Sequence, residues 1–324
     1  MNFKKYIPSV FALFLVIVVL VPVSLTSGCV RAKECPIVVS QTDGIVVTRL
    51  QPSYNLIPVG DQVTLTAEIQ NKGNAVAKNL KAYVWSKPGF KVEEPNIIDF
   101  ETATLSPPRL DICSSGDAKA LQWTLKAGCD PRESVLAIAV EYDYTSDGWA
   151  SILLVSSNES AKTGGEFKLK EKGENHPSAG PIQVLIEPLQ TEPVIVSEAS
   201  SFFDARVKFK DLGKGVAGKN GDGEIEQVAL ETIGPCEFTS LNAGLQNDGR
   251  IVLSDTLGVS LSAGKDEAFK VLKMQYIGGF PFAKDFCRIN VHADYHYRNV
   301  ESVKEKMGVT GTSSQVAECR SAAQ

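Results

Sequence analysis

Three histidines serve 324 residues, so few imidazoles are available for general-base work or metal binding. There is no GxSxG elbow, no Walker A loop and no dinucleotide fingerprint, which removes the common routes to acyl, phosphoryl and hydride transfer. No two cysteines stand in CxxC spacing, so a zinc cluster or thioredoxin-type centre is not indicated. A basic excess is also missing: 33 Lys and Arg face 38 Asp and Glu, for a formal charge of −5. Phosphate backbones need basic patches, so nucleic acid is not an expected partner. Beyond residue 30 no segment shows a 3.6-residue apolar period, which excludes a helical bundle or coiled coil. What remains is a chain with 43% apolar and 22% charged residues, the composition of a folded protein. Its length allows about two domains.

The N-terminus is the one strongly hydrophobic region. Lys4 and Lys5 precede an uncharged run from Ile7 to Leu25, which leads into Thr26-Ser27-Gly28-Cys29. A basic start, an apolar stretch and small residues form the pattern of an export signal, and the run is also long enough to span a bilayer. In both readings the two lysines stay on the cytoplasmic side and the rest of the chain lies outside. The segment 25–29 resembles the lipobox of prokaryotic lipoproteins, which implies lipidation at Cys29. An uncleaved anchor and plain cleavage of residues 1–28 are the alternatives. Six further cysteines, Cys35, Cys113, Cys129, Cys236, Cys287 and Cys319, suit an oxidising exterior as disulfide partners. Proximity in the chain suggests Cys113 with Cys129 and Cys236 with Cys287, leaving Cys35 and Cys319 near the two ends. The connectivity itself is not readable from sequence.

Past the leader the chain repeats. Val63, Leu65, Ala67 and Ile69 alternate with polar residues and run into Asn71-Lys-Gly-Asn-Ala-Val-Ala77. Phe203, Ala205, Val207 and Phe209 alternate likewise and run into Asp211-Leu-Gly-Lys-Gly-Val-Ala217, at a constant offset of 140. Ile138, Val140, Tyr142 and Tyr144 match Val291, Ala293, Tyr295 and Tyr297 at an offset of 153. Period-2 alternation marks half-buried strands, and two matched segments in the same order mark a duplicated unit. In the first copy, strands are expected at 44–49, 63–70, 80–86, 97–102, 119–126, 134–144 and 149–157. Such a density of short strands predicts an all-β protein of two tandem immunoglobulin-like antiparallel β-sandwich domains. The expected divisions are a leader at 1–28, a first domain at 36–157, a polar linker at 158–180, a second domain at 181–308 and a loose tail at 309–324, read as beads on a string.

The segment from Val59 to Leu80, with Leu121-Gln-Trp-Thr-Leu-Lys126 and the strand Val140-Glu-Tyr-Asp-Tyr144, resembles CARDB-like and archaeal S-layer-associated repeat domains. The resemblance implies an extracellular, non-catalytic role in adhesion, surface layers or filaments. It implies as partners other surface proteins or other copies of the chain; no cofactor is expected, and the N-terminal segment reaches the membrane. A variant of this reading has 36–47 completing a neighbour's sheet, with Cys35 and Cys319 linking subunits. The alternative reading is a surface lipoprotein that captures a glycan, peptide or metal ion for a transporter or surface enzyme.

Four features remain as candidate sites. His292, Asp294 and His296 project from one strand face and could hold zinc. Their repeat counterparts, Ala139, Glu141 and Asp143, place them on the face expected to be solvated. Asn220-Gly-Asp-Gly-Glu-Ile-Glu226 resembles part of a calcium loop but lacks side-chain oxygen at its first and last ligand positions, so a flexible loop is expected. Trp123 alternates with Leu121 and Leu125 and reads as core, with a sugar-stacking platform as the alternative. Asn158-Glu-Ser160 is an N-glycosylation sequon in an exposed region.

Overall fold

Alternation of apolar and polar residues is converted into sheets almost without exception. The computed structural model describes residues 35–93, 95–100, 104–162, 173–219, 221–240, 245–247, 250–254, 261 and 267–322. The hydrophobic leader and Cys29 lie outside the described residues. Residues 38–324 form one compact unit. It is mostly β, arranged as several antiparallel sheets with two short helices.

Each repeat contributes a four-stranded sheet. In the first the spatial order is Ile45–Pro52, Gln62–Asn71, Ala118–Ala127, Phe90–Val92. In the second it is Ile182–Pro188, Phe202–Asp211, Glu267–Tyr276, Cys236–Ser240. These orders match strand for strand. Both sheets bury one face: Val63, Leu65, Ala67 and Ile69 in the first, Phe203, Ala205, Val207 and Phe209 in the second.

Most of the remaining strands build one ten-stranded sheet that belongs to both repeats, while Leu56–Pro58, Met307–Thr310 and Arg132–Ser134 form a separate three-stranded sheet. The centre of the larger sheet is the antiparallel pair Ala137–Ser156 and Lys284–Ser302. Tyr144 lies opposite Tyr295, and Tyr142 opposite Tyr297. Asp143 lies opposite His296, 153 residues away. That separation is the repeat offset, so the pseudo-twofold axis relating the halves passes through this pair. The apolar side chains of both halves join in one core cluster. This corrects the beads-on-a-string expectation. The halves at 36–157 and 181–308 are not separate interiors, because their longest strands pair with each other.

The expected break between 134–144 and 149–157 is also absent. Thr145-Ser-Asp-Gly148 has turn composition, yet it runs straight through as strand. Cross-strand pairing continues over it, with Thr145 opposite Asp294 and Asp147 opposite His292. Ser146 is buried and its hydroxyl donates to the Ile182 carbonyl at 2.6 Å. Tertiary hydrogen bonds supply what a turn would otherwise have satisfied.

The strand ends are exchanged between repeats. Leu154, Val155 and Ser156, at the end of the first long strand, pair in parallel with Val194, Ile195 and Val196 of the second half. Reciprocally, Met307–Thr310 pairs in parallel with Leu56–Pro58 and antiparallel with Arg132–Ser134 of the first half. A helix follows each exchanged end, Ser157–Lys162 and Ser313–Ala322. Both start on a hydroxyl cap: Glu159 N–H donates to Ser156 Oγ at 3.2 Å, and Gln315 N–H to Thr312 Oγ1 at 3.4 Å. Thr312 N–H in turn donates to Gln315 Oε1, which completes a capping box. The expected loose tail at 309–324 is therefore a strand end and a helix. The expected linker carries a helix and Glu174–His176, which pairs with the first long strand.

The cysteines follow this exchange. Cys236 is bonded to Cys287, while Cys129 is bonded to Cys319 rather than to Cys113. The exchanged C-terminal helix lies beside Cys129, and Arg320 pairs with Asp130 at 2.7 Å. Cys113 sits exposed in a turn at φ +51°. Cys319, being bonded within the chain, does not link subunits. Within the segment 36–47 expected to reach a neighbour, Ile45 onward is already paired with Gln62–Asn71.

The repeated turn motifs now have a physical reason. In NKGNAVA, Gly73 N–H donates to Asn71 Oδ1 at 3.0 Å, and in DLGKGVA, Gly213 N–H donates to Asp211 Oδ1 at 3.0 Å. A Cβ at Gly73 would meet the Tyr144 hydroxyl at 1.9 Å, and one at Gly213 the Tyr297 hydroxyl at 2.1 Å. The space is kept because those hydroxyls accept from Ala75 and Gly215 N–H, both at 3.0 Å. Tyr297 also donates to Asp211 at 2.9 Å. Replacing Tyr297 by Phe removes both bonds and strands a turn amide. The expected cost is about 1–3 kcal/mol, measured as a lower urea midpoint at unchanged slope. A midpoint equal to wild type would show that the turn is not pinned by this hydroxyl.

Candidate functional site

The inner face of the long strand pair is tyrosine and aliphatic; the outer face is polar. Along Lys284–Ser302 the outer positions are Arg288, Asn290, His292, Asp294, His296 and Arg298. Opposite them on Ala137–Ser156 stand Ser151, Trp149, Asp147, Thr145, Asp143 and Glu141. Opposite charges face each other across the seam, the arrangement that stabilises cross-strand pairs.

The three candidate ligands do share this face, but they do not converge. His296 Nδ1 is 2.8 Å from Asp143 Oδ1, and its Nε2 is 3.8 Å from Glu141. The His292 Nδ1 is hydrogen-bonded to Asp147, and its Nε2 is 3.4 Å from Asp294. Asp294 also accepts from the Thr145 hydroxyl at 2.7 Å. Each imidazole is thus taken by its own carboxylates. Among the described residues no group of three or more His, Cys, Asp or Glu side chains is placed to hold a metal ion. The face is also less solvated than its repeat counterparts imply, since His296 is 9% exposed. Val216–Ala217 pairs beside this strand, and Gly218 N–H donates to the His296 carbonyl.

Trp123 is buried, so it is not available as a stacking platform. In the segment 220–226, Asn220 lies outside the described residues, Glu226 pairs with Lys219 at 3.0 Å, and Glu224 N–H donates to Asp222. Asn158 is exposed on the helix Ser157–Lys162.

Two aromatic-cation groupings lie toward the ends of the outer face. At one, Arg298 sits 4.8 Å over the Trp85 ring and 3.8 Å from Glu141, which accepts from the Tyr83 hydroxyl at 2.8 Å. Burial and the adjacent Glu141 push the Tyr83 phenol above its usual range. At the other, Arg288 lies 4.1 Å over Trp149, whose other contact is a stacked His176 at 3.9 Å. This second end is concave. A depression of about 350 Å³ is lined by Asp147, Trp149, Glu231, Arg288, Asn290 and His292. Sequence reasoning had not singled out Trp149, Glu231, Arg288 or Asn290. They come from three strands, and only the register brings them together.

The comparisons with known proteins add no identity. No family model matches the sequence, and no curated protein matches it. Among solved structures, the secreted serine protease VesC from Vibrio cholerae aligns at 9% identity and a TM-score of 0.22, over 82% of this chain and 52% of that one. The chain therefore spans about half the length of that protease. The Enterococcus faecalis MSCRAMM ACE, described as binding its ligands by the collagen hug model, aligns at 7% identity and 0.17, over 84% and 95%. The collagen adhesin CNA from S. aureus aligns at 10% identity and 0.13, over 85% and 91%. At these TM-scores the likenesses carry no argument about activity or ligand.

The seam itself gives a pH prediction. Hydrogen bonds from His296 hold the Asp143 carboxyl below its usual range, with burial opposing and Asn79 and Lys219 assisting. A carboxylate with a depressed folded-state pKa contributes stability that is complete above its unfolded value, about 3.9. That contribution is lost as pH falls through the lower folded value. Wild-type stability should therefore drop below about pH 4, and Asp143→Asn should flatten that drop. Urea titrations at several acidic pH values measure it, and equal acid limbs in the two proteins would refute the assignment.

Proposed function

We propose that this protein is a non-catalytic structural and interaction protein of a prokaryotic, archaeal-type cell surface. In this reading the two halves are immunoglobulin-like, and the leader at 1–28 delivers the chain to the exterior and holds it at the membrane through Cys29 lipid or an uncleaved helix. The observation that carries the reading is the reciprocal strand exchange secured by Cys129–Cys319. Tension applied between the chain ends passes through Cys129–Cys319, so residues 130–318 bear no load until that bond breaks. Two disulfides in one chain suit an oxidising compartment, and Asn158 stands on the surface where a glycan can be attached. A second reading, a surface binding module, is favoured by the concave end at Trp149 and Arg288. Assembly into filaments through sheet edges belongs to the same proposal. Cys319 does not link subunits in such assembly, because it is bonded to Cys129 within the chain.

Peptide mapping of protein taken from intact cells tests the compartment: Cys129–Cys319 and Cys236–Cys287 should both be oxidised, and free thiols at these positions would overturn it. Cys319→Ser tests the clamp. The bond closes a separation of 190 residues, so the chain-entropy model puts its loss at about 5 kcal/mol, read as a lowered urea midpoint. Proteolysis should then begin in the helix Ser313–Ala322, and a midpoint unchanged from wild type would remove the clamp from the argument.

A further inference from the structure

The depression at Trp149 holds a guanidinium that has no ionic partner among the described residues. Arg288 Nε donates to Asn290 Oδ1 at 2.9 Å, and its plane rests 4.1 Å over the indole. Stacking and this hydrogen bond fix the group, while its two terminal amino groups stay open. Among the described residues no carboxylate forms a salt bridge with it. Acceptors are available nearby. Glu231 uses one oxygen, Oε2, to accept from Asn290 Nδ2 at 2.9 Å, which leaves Oε1. Asp147 uses Oδ1 on His292, and its side chain is 67% exposed.

The repeat shows why a hollow exists here. In the first half, the residue paired with Ala139 is Tyr83; in the second, the residue paired with His292 is Ala229. Ala139 and His292 are counterparts at offset 153, so Ala229 stands where the first repeat places a phenol ring. Exchanging tyrosine for alanine lowers the floor between Glu231, Asn290 and His292. The wall residues differ as well: the counterparts of Arg288 and Asn290 are Val135 and Ala137. The second repeat thus has space and polar groups at positions where the first has Tyr83, Val135 and Ala137.

We propose that this depression binds a neutral, hydroxyl-rich glycan. A hydroxyl both donates and accepts, so adjacent hydroxyls can take hydrogen bonds from the Arg288 fork and give them to Glu231 and Asp147. Simple ions satisfy only half of this arrangement. Formal charge decides against an acidic glycan, since Glu231 and Asp147 outnumber Arg288. The fixed cation in turn disfavours a bare metal ion or an amine. The site is shallow and lies on a sheet face, so it receives one or two units of a chain that runs past. This extends the surface-interaction reading by naming a partner class and rests on it for access to external glycans.

The test uses the full chain against a panel of neutral gluco-, galacto- and manno-oligosaccharides, with oligogalacturonate as the anionic member. Binding is read by calorimetry and by Trp149 fluorescence. At least one neutral oligosaccharide should bind, and oligogalacturonate should not. Arg288→Lys keeps the charge but loses the fork, and should weaken binding about ten-fold or more, as should Glu231→Gln. Ala229→Tyr, which restores the first repeat's residue, should abolish binding while leaving the urea midpoint near wild type. If no neutral glycan binds, if oligogalacturonate binds better, or if all three variants bind as wild type does, the assignment is overturned. The disulfide mapping is independent of these outcomes, so failure here leaves the scaffold reading separately testable.

Discussion

The antiparallel pairing of Ala137–Ser156 with Lys284–Ser302 governs the rest of the molecule. An uninterrupted ladder runs from Lys284 opposite Val155 to Ser302 opposite Ala137. Its inner face carries four tyrosines, with ring centroids 5.8–6.2 Å apart. Edge and tilted aromatic contacts at such spacings contribute about 0.5–1.5 kcal/mol each beyond area burial. The hydroxyls matter as much as the rings. Tyr144 and Tyr297 reach across to the turns after Asn71 and Asp211, and Tyr295 accepts from Ile182 N–H. Burial keeps Tyr295 and Tyr297 protonated well beyond the usual phenol range. One strand pair therefore positions the turns of both four-stranded sheets and, through Tyr295 to Ile182 and Asn299 to the Ile45 carbonyl, their first strands. Neither repeat contains all of the residues that its own core uses.

This constraint explains what could be read in the sequence. Local rules reached everything with a local cause. Alternation at Val63–Ile69 and Phe203–Phe209 gave the strands, and the matched NKGNAVA and DLGKGVA segments gave the duplication. They are matched because a tyrosine hydroxyl occupies the space where a Cβ at Gly73 or Gly213 would lie. The failures all involve the partnership between repeats. Thr145-Ser-Asp-Gly148 has turn residues, but its place opposite Val291–Asp294 keeps it extended. Cys129 has Cys113 near it in sequence and Cys319 near it in space. The helix Ser313–Ala322 has weak amphipathicity, and only the Thr312-Ser-Ser-Gln315 capping box marks it in advance. Its repeat counterpart, Ser156-Ser-Asn-Glu159, carries the same mark.

The polar face was legible in part. Residues at i, i+2 and i+4 from His292 were bound to share a side of the strand, and they do. Which carboxylates would meet them depended on a register that pairs residues 145–153 positions apart. The same register gathers Trp149, Arg288, Asn290 and Glu231, none of which has a distinctive neighbour in sequence. Trp123, with an equally suggestive pattern, is core.

A duplicated fold that shares one sheet has a particular freedom. The inner face is tied by the tyrosine quartet and the Gly73 and Gly213 turns, so substitution there disturbs both halves at once. The outer face is tied across the repeats by the ion pairs at its centre, and its two ends have separated in chemistry. Trp85, Tyr83, Glu141 and Arg298 fill one end, with the arginine already held by Glu141. Ala229 opens the other end, where Arg288 has an aromatic support and no carboxylate partner among the described residues. Two ends of one sheet face thus differ in whether the cation pairs with a carboxylate among the described residues. Specificity can evolve at the Arg288 end at little cost to the shared core, because the strands that present it are fixed from the opposite face.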